Sequence, residues 1–157
     1  HTRYGTVTGV QTCALPISTT GNPDGHLVLR GGKGGTNYHA EAVEAAAASL
    51  AKAGLPARLM VDCSHGNSNK DYRRQGEVAQ QVAEQLRQGS GHVMGVMLES
   101  HLVEGNQPIQ ADRSQLTYGQ SVTDACIDLA TTFEVLDVLA AAVRDSRAGK
   151  VLLPVLP

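Results

Sequence analysis

The chain alternates short apolar runs with amphipathic segments of helical period, three times in succession. The apolar runs cover residues 26–30, 58–62 and 92–98. Each run is apolar along its length rather than at every second position, which is typical of strands covered on both faces. Three strand and helix units in a row predict an α/β fold with a parallel sheet and right-handed crossovers. Both a doubly wound sheet and an arc of a TIM barrel fit this order.

The helical segments are recognised by their apolar spacing and by the residues that start and stop helices. The first is predicted over residues 38–53 with Asn37 as its cap, the second over residues 69–88, and the third from a cap near Thr123, after a loop over residues 100–120. The residues predicted to face inward are Val43, Ala46, Ala47 and Leu50 in the first helix, Tyr72, Ala79, Val82 and Leu86 in the second, and Cys126, Phe133, Leu136, Ala140 and Val143 in the third.

The number of strands limits which barrel the chain can form. A closed TIM barrel needs about eight strands, and three are visible in this sequence. The chain is therefore predicted to form at most a portion of a barrel, of about three βα units. A three-stranded sheet leaves an edge and part of a face uncovered, so we expect marginal stability for the chain alone.

Composition excludes several classes of partner. The net charge of -2 provides no general attraction to nucleic acid or to an anionic membrane. No apolar run approaches the roughly 20 residues that span a bilayer. Three cysteines without regular spacing do not form a disulfide framework, and Cys63 and Cys126 are expected to be reduced thiols. We therefore expect a cytoplasmic protein that binds neither nucleic acid nor membrane.

The two ends differ from the regular central part. Residues 1–17 lack helical and strand periodicity and lack the features of a signal peptide. One set of codons for Val7 to Ile17 resembles the reverse complement of a common sequencing adapter, so we interpret residues 1–17 as non-native, with a native disordered arm as the alternative. The domain is then expected over residues 18–149, in a protein that extends upstream. No function is assigned to the tail, residues 150–157.

Polar side chains follow each predicted strand. Arg30 and Lys33 follow the first strand, Asp62 and His65 end the second, Glu99 and His101 follow the third, and Asp124 begins the predicted third helix. Because the carboxyl ends of parallel strands share one face, these groups are expected to converge there. His, Glu and Asp together suit a divalent ion such as Mn, Fe, Co or Zn, and an arginine suits a phosphate or carboxylate.

Each of these residues also has a structural interpretation. Arg30 could be a solvated loop residue, and His65 a histidine with ordinary hydrogen-bonding partners. Glu99 and Asp124 could be carboxylates of a loop or of a helix start. Cys63 lies inside the strand pattern and is most simply a small core residue. The set is more informative than its members, because all of them are expected on one face.

Four longer segments carry a resemblance to a known family. They are TTGNPDGHLVLRGGK (Thr19–Lys33), MVDCSHGNS (Met60–Ser68), GVMLESHLVEGNQ (Gly95–Gln107) and YGQSVTDACI (Tyr118–Ile127). These segments resemble the C-terminal part of type I 3-deoxy-D-arabino-heptulosonate 7-phosphate (DAHP) synthase. The resemblance covers residues 18–149 and implies the last third of a single (β/α)8 barrel.

The resemblance implies a reaction and roles for several residues. The family condenses phosphoenolpyruvate with erythrose 4-phosphate and water, giving DAHP and phosphate, as the first step of the shikimate route to aromatic amino acids. Its divalent metal is held by Cys, His, Glu and Asp, of which the last three correspond to His65, Glu99 and Asp124. Arg30 corresponds to an arginine that binds the phosphoenolpyruvate phosphate, and Lys33 and His101 are neighbours of the site. The metal would polarise the aldehyde oxygen during attack by phosphoenolpyruvate.

The same resemblance limits what the chain alone is expected to do. The metal-binding cysteine of the family belongs to an early strand, and none of the three cysteines here corresponds to it. We therefore predict that the 157-residue chain has no synthase turnover, whereas the full protein does and assembles as a homo-oligomer. The alternative function is a non-catalytic αβ module that binds a phosphorylated metabolite through Arg30. Such a module has no need of His65, Glu99 and Asp124 together.

Overall fold

A three-stranded parallel sheet is the centre of the molecule. The computed structural model describes Asn22 and residues 24–149, so the predictions for residues 1–17 and 150–157 lie outside the described residues. The strands are β1 (Leu27–Leu29), β2 (Leu59–Asp62) and β3 (Val93–Met97), in the spatial order β1-β2-β3. All neighbours run parallel, with Leu29 opposite Val61 and Asp62 opposite Met97. The predicted α/β fold with a parallel sheet is confirmed.

Three α-helices connect and follow these strands. They are α1 (Ala40–Lys52), α2 (Gln75–Arg87) and α3 (Leu129–Arg147). The core is one cluster of buried residues from β1, β2 and all three helices, and Leu59 and Val61 of the central strand are fully buried. The buried positions of α2 recur at helical spacing: Val78, Ala79, Val82 and Ala83. Each large aliphatic side chain buried here contributes about 1.5–3 kcal/mol. No helix in the described part of the chain is long and apolar enough to cross a membrane.

The first helix begins later than predicted, because Asn37 has other partners. Its side-chain oxygen accepts a hydrogen bond from the N–H of Gly31 at 2.7 Å. Its own N–H donates to the side-chain oxygen of Asn67 at 2.8 Å. The helix therefore starts at Ala40, after His39, which makes no side-chain cap. Val43 and Ala47 are buried, as predicted.

The second helix is also shorter than predicted. Asn69 and Lys70 have φ angles of 53° and 62°, which a right-handed helix cannot contain. A short 3-10 turn, Tyr72–Arg74, precedes α2. The prediction that Tyr72 faces the core was wrong: its hydroxyl donates to the Glu104 carboxylate at 3.2 Å. The turn at Asn69 and Lys70 thus separates the end of β2 from the helical turn before α2.

The cap of the third helix lies five residues after the predicted cap, Thr123, and this changes two predictions. Its cap is Asp128, whose carboxylate accepts from the N–H of Thr131 at 2.8 Å. Cys126 and Asp124 therefore precede the helix rather than belong to it. The buried residues of the helix are Val135, Leu139 and Ala142. Phe133 and Leu136, predicted to be buried, are 59% and 46% exposed.

The segment predicted as a loop over residues 100–120 contains further structure. Strand β4 (Val103–Asn106) pairs in parallel with β5 (Gln120–Ser121) in a second, two-stranded sheet. Just after β5, the N–H groups of Gly105 and Cys126 donate to each other's carbonyl oxygens at 2.8 and 3.1 Å. The small sheet therefore fixes the chain on both sides of Asp124.

Candidate metal centre

Three predicted ligands meet beyond the carboxyl ends of β2 and β3. His65, Glu99 and Asp124 each offer one ligand atom, and these atoms all lie within 4.8 Å of one another. His65 Nε2 and Glu99 Oε1 are 3.5 Å apart. Two ligands of one ion, each bound at about 2 Å, lie roughly 3–4 Å apart, so this pair fits a first-row divalent metal. One nitrogen and two carboxylates form a donor set suited to such an ion.

The orientation of His65 is set by the residue that ends β2. Asp62 is 1% exposed, and its Oδ2 lies 2.8 Å from His65 Nδ1. Nδ1 is therefore the ring nitrogen that faces Asp62, and Nε2 is the ring nitrogen that faces Glu99. His65 reaches this position with a φ angle of 48°, an uncommon backbone conformation for a residue with a side chain. The end of β2 therefore places His65 Nε2 among the other ligand atoms.

Glu99 is held through both its backbone and its side chain. The fully buried side chain of Gln75, at the start of α2, accepts from the Glu99 N–H at 2.7 Å and donates to the Glu99 carbonyl at 3.0 Å. The Ser64 hydroxyl donates to Glu99 Oε2 at 2.6 Å. The other carboxylate oxygen, Oε1, is the one that faces His65. Glu99 is thus fixed independently of the histidine.

Asp124 arrives from the segment that links the small sheet to α3. Ile127 N–H donates to the Glu99 carbonyl at 3.0 Å, and His101 N–H donates to the Ile127 carbonyl at 2.9 Å. These bonds attach the segment to the end of β3. Asp124 is exposed, whereas His65 and Glu99 are partly buried, so Asp124 is the most accessible of the three ligands.

A cavity of about 160 Å³ lies beside the three ligands. Lys70 and Tyr72 line it together with Ser64. Lys70 was not predicted to lie here and Tyr72 was predicted to face the core, because the turn that brings them to the cavity has no periodic apolar pattern. In the sequence, the one feature that points to Ser64 and Lys70 as cavity residues is their closeness to His65 in the polar run after β2. A lysine at the cavity adds a positive charge near the carboxylates.

The predicted phosphate-binding residues lie next to this cluster. Arg30 Nε is 3.6 Å from Asp62 Oδ2, and the arginine side chain is 61% exposed. Lys33 is exposed in a tight turn, closed by hydrogen bonds between Gly32 and Gly35 at 3.0 and 2.9 Å. His101 is directed elsewhere: its Nδ1 accepts from the N–H of Leu102 at 2.9 Å. Arg30 is thus joined to the metal cluster through Asp62, and Lys33 and His101 are not among the grouped ligands.

The cysteine beside the cluster is part of the core. Cys63 is fully buried among apolar residues, as predicted. Burial raises the pKa of its thiol to about 12, and the nearby negative charge of Asp62 acts in the same direction. Burial also raises the pKa of Cys126. Both remain neutral thiols near pH 7, which makes them poor nucleophiles.

The loops that carry Arg30 and His65 are joined along their backbones. Gly66 N–H donates to the Arg30 carbonyl at 3.1 Å. Asn67 is fully buried, and its amide donates to the carbonyls of Leu29 at 3.0 Å and Asp62 at 2.8 Å. Asn67 therefore links the ends of β1 and β2 and fixes the spacing between the arginine and the histidine.

Comparison with known proteins identifies related sequences and structures. The family model described as "DAHP synthetase I family" matches residues 3–137. A protein of Schizosaccharomyces pombe named "Putative phospho-2-dehydro-3-deoxyheptonate aldolase" is 50% identical over 133 residues, covering 84% of this chain and 36% of that protein. A protein of Escherichia coli K12 named "Phospho-2-dehydro-3-deoxyheptonate aldolase, Tyr-sensitive" is 47% identical over 134 residues, covering 85% and 36%.

A solved structure is similar to this chain in fold and sequence. It is the phospho-2-dehydro-3-deoxyheptonate aldolase from Francisella tularensis SCHU S4, with a TM-score of 0.77, 46% identity, and coverage of 83% of this chain and 38% of that one. The chain thus spans less than two fifths of the length of each of these three proteins. The family match begins at residue 3 and overlaps residues 1–17, whose non-native origin stays a prediction.

Proposed function

Because the chain belongs to the DAHP synthetase I family, we propose that it carries the metal-binding half of a 3-deoxy-7-phosphoheptulonate synthase site. The reaction joins phosphoenolpyruvate, erythrose 4-phosphate and water to give DAHP and inorganic phosphate. The observation that supports this best is the meeting of His65, Glu99 and Asp124, with ligand atoms within 4.8 Å, beside the arginine of the preceding loop. The family's reaction needs both a metal and a phosphate site, and both sets of groups lie at one end of the sheet.

The fold that suits this function is an arc of a (β/α)8 barrel. Three consecutive parallel strands lie in sequence order, as neighbouring barrel strands do. The polar groups cluster at the carboxyl ends of the strands, where barrel enzymes have their active sites. A doubly wound sheet would reverse strand order at its ligand-binding crevice, and β1-β2-β3 shows no such reversal among the described strands.

His65 Nε2, Glu99 Oε1 and an Asp124 oxygen would hold the divalent ion, for which Mn, Fe, Co and Zn are candidates. When bound, such an ion supplies Lewis acidity to the aldehyde oxygen of erythrose 4-phosphate. Gln75 and Ser64 keep the Glu99 carboxylate in place. The chain's own residues therefore arrange the ligands before any metal arrives, which lowers the cost of binding.

Arg30 would bind the phosphate of phosphoenolpyruvate. Asp62 engages its Nε, which leaves the two terminal amino groups of the guanidinium for a bidentate contact with phosphate oxygens. The 61% exposure of the side chain lets a ligand reach it. Lys33, in the exposed turn after β1, offers a second positive charge to the same ligand. That the 157-residue chain alone lacks synthase turnover stays a prediction.

Arg30 would serve equally well in a non-catalytic module that binds a phosphorylated metabolite. The two functions differ in what they require of His65, which has no role in binding phosphate through an arginine. Metal affinity therefore separates them.

The test is a Mn²⁺ titration of the purified chain, followed by the electron paramagnetic resonance signal of free Mn²⁺. We expect one Mn²⁺ site in the unchanged chain. His65→Ala should lower its affinity about 100-fold or more, because removing a ligand lowers metal affinity more than removing a residue that only supports a ligand. His92→Ala is the matched control: His92 lies at the opposite end of the strands, where its carbonyl accepts from the Leu59 N–H. Equal Mn²⁺ affinity in all three chains would favour the phosphate-binding module.

A further inference from the structure

We propose that Asp62 is a positioning residue that selects the metal-binding tautomer of His65 and aligns Arg30 with it. The inference rests on the proposed metal site, since it concerns how His65 is prepared for the ion. Asp62 is one of the polar residues predicted at the end of β2, and no separate role was predicted for it. Its contacts join the residue proposed to bind metal to the residue proposed to bind phosphate.

Both carboxylate oxygens of Asp62 have fixed donors. Oδ1 accepts from the backbone N–H of Ser64 at 2.8 Å. Oδ2 faces His65 Nδ1 at 2.8 Å and Arg30 Nε at 3.6 Å. The backbone at Asp62 is itself held, because its carbonyl accepts from the Asn67 amide at 2.8 Å. With 1% exposure, the carboxylate has no room to turn towards water.

This arrangement decides which ring nitrogen of His65 carries the proton. A carboxylate accepts hydrogen bonds and cannot donate them, so Nδ1 must be the protonated nitrogen. Nε2 is then unprotonated and free to bind a metal, and the charge of Asp62 makes it a stronger donor of electrons. Since Oδ2 also lies 3.6 Å from Arg30 Nε, one buried charge lies beside both functional side chains.

The contacts predict an unusual effect for Asp62→Asn. The backbone N–H of Ser64 still needs an acceptor, so the amide oxygen should occupy the position of Oδ1. The NH₂ group then takes the place of Oδ2 and points at His65 Nδ1. To accept this hydrogen bond, Nδ1 must give up its proton, and the ring proton moves to Nε2. An isosteric substitution would therefore reverse the tautomer and block the nitrogen that binds the metal.

The experiment measures the tautomer and the metal affinity in the same chains. Nitrogen-15 NMR of labelled histidines, at about pH 8 where imidazole is neutral, assigns the His65 signals by their loss in His65→Ala. We expect a protonated Nδ1 in the unchanged chain and a protonated Nε2 in Asp62→Asn, with Mn²⁺ affinity lowered about 10–100-fold. The tautomer shift is a signature that simple destabilisation does not produce.

Two further variants keep the result decisive. Asp137→Asn makes the same chemical change at an exposed position of α3 and should alter neither measurement. Asp62→Ala removes the acceptor without offering a donor, so both tautomers become accessible and the affinity should fall less, about 3–10-fold. If Asp62→Asn does not give the native amide NMR spectrum, the Mn²⁺ affinity of Asp62→Ala decides instead, and an affinity within about twofold of the unchanged chain would overturn the proposal.

Mn²⁺ affinity within about twofold of the unchanged chain, or a protonated Nδ1 retained in Asp62→Asn, would overturn the role of Asp62. Failure of the metal site itself gives a different result. In that case His65→Ala would bind Mn²⁺ as well as the unchanged chain does, and the proposed function would fail together with this inference.

Discussion

Gly31 and Gly66 bring the loops after β1 and β2 into contact through their backbones. A Cβ atom at Gly31 would lie 2.6 Å from the carbonyl carbon of Gly66, and one at Gly66 would lie 2.8 Å from that of Gly31. Gly31 also has a φ of 70°, which residues with side chains rarely adopt. Because backbone meets backbone, no flexible side chain can yield. This contact keeps Arg30 and His65 in neighbouring positions.

Gly31→Ala should therefore damage both stability and the site. We expect the free energy of unfolding to fall by about 2–4 kcal/mol, from the unfavourable φ and the close contact together. Mn²⁺ affinity should fall as well, since the loop of His65 must move. Gly34→Ala, in the turn that follows and with nothing within 4 Å of an added Cβ, is the control. Urea unfolding of both variants tests this, and equal midpoints would show that the loops tolerate separation.

Asp128 determines where the longest helix starts. Hydrogen bonds from the side chain and the backbone N–H of Thr131 lower the pKa of the Asp128 carboxyl below its ordinary value. Its charged form is therefore favoured in the folded state. The resulting stabilisation is fully present above the ordinary carboxyl pKa and is lost as the pH falls through the lowered pKa. The helix start is thus sensitive to acid.

Thermal unfolding of cap variants measures this effect. Asp128→Ala should lower the melting temperature near pH 7 by about 2–6 °C, because an N-terminal N–H loses its acceptor. Asp128→Asn keeps an acceptor, so its deficit should be smaller. It should disappear as the pH falls below the ordinary carboxyl pKa of about 3.9 and through the lowered pKa of Asp128, where the native carboxylate becomes protonated. Asp137→Asn, on the exposed side of the same helix, controls for the change in net charge. A deficit of Asp128→Asn that does not change with pH would contradict this account of the cap.

The three strands of the central sheet were predicted to within one residue, whereas the helices begin two to six residues later than predicted. Continuous apolar runs such as LMV before Asp62 require burial on both faces, which few other structures provide. Helix starts depend on which of several capping residues is used. Asn37 binds Gly31 instead, and Asp128 rather than Thr123 caps α3. Which residue caps a helix therefore depends on tertiary contacts, and these cannot be inferred from the local sequence.

The candidate site was predicted as a set of residues but not as a geometry. Parallel strand ends must share a face, so His65 and Glu99 could be placed together from the sequence. The supporting groups could not: Gln75 and Asn67 are fully buried polar residues whose partners lie far along the chain. The small sheet that positions Asp124 was missed because its strands are short and lack alternation.

At the scale of the molecule, the two outer strands are less well covered than the central one. Leu27 and Val28 of β1 are 38% and 42% exposed, and Met94 of β3 is 55% exposed, whereas Leu59 of β2 is fully buried. Apolar side chains left in water contribute little to stability. Marginal stability of the chain alone stays a prediction, and these exposures give it a physical cause.

A bound ion would join three segments that are far apart in the chain: the loop of His65, the end of β3 at Glu99, and the segment of Asp124. Because only the folded chain brings them together, metal at about 100 times its dissociation constant should stabilise the fold by about 2.7 kcal/mol. We expect Mn²⁺ to raise the melting temperature by about 5–10 °C. His65→Ala should abolish this rise and His92→Ala should retain it, as measured by circular dichroism. A rise of equal size in His65→Ala would mean that Mn²⁺ stabilises the chain elsewhere, and the three segments would then not be joined by metal.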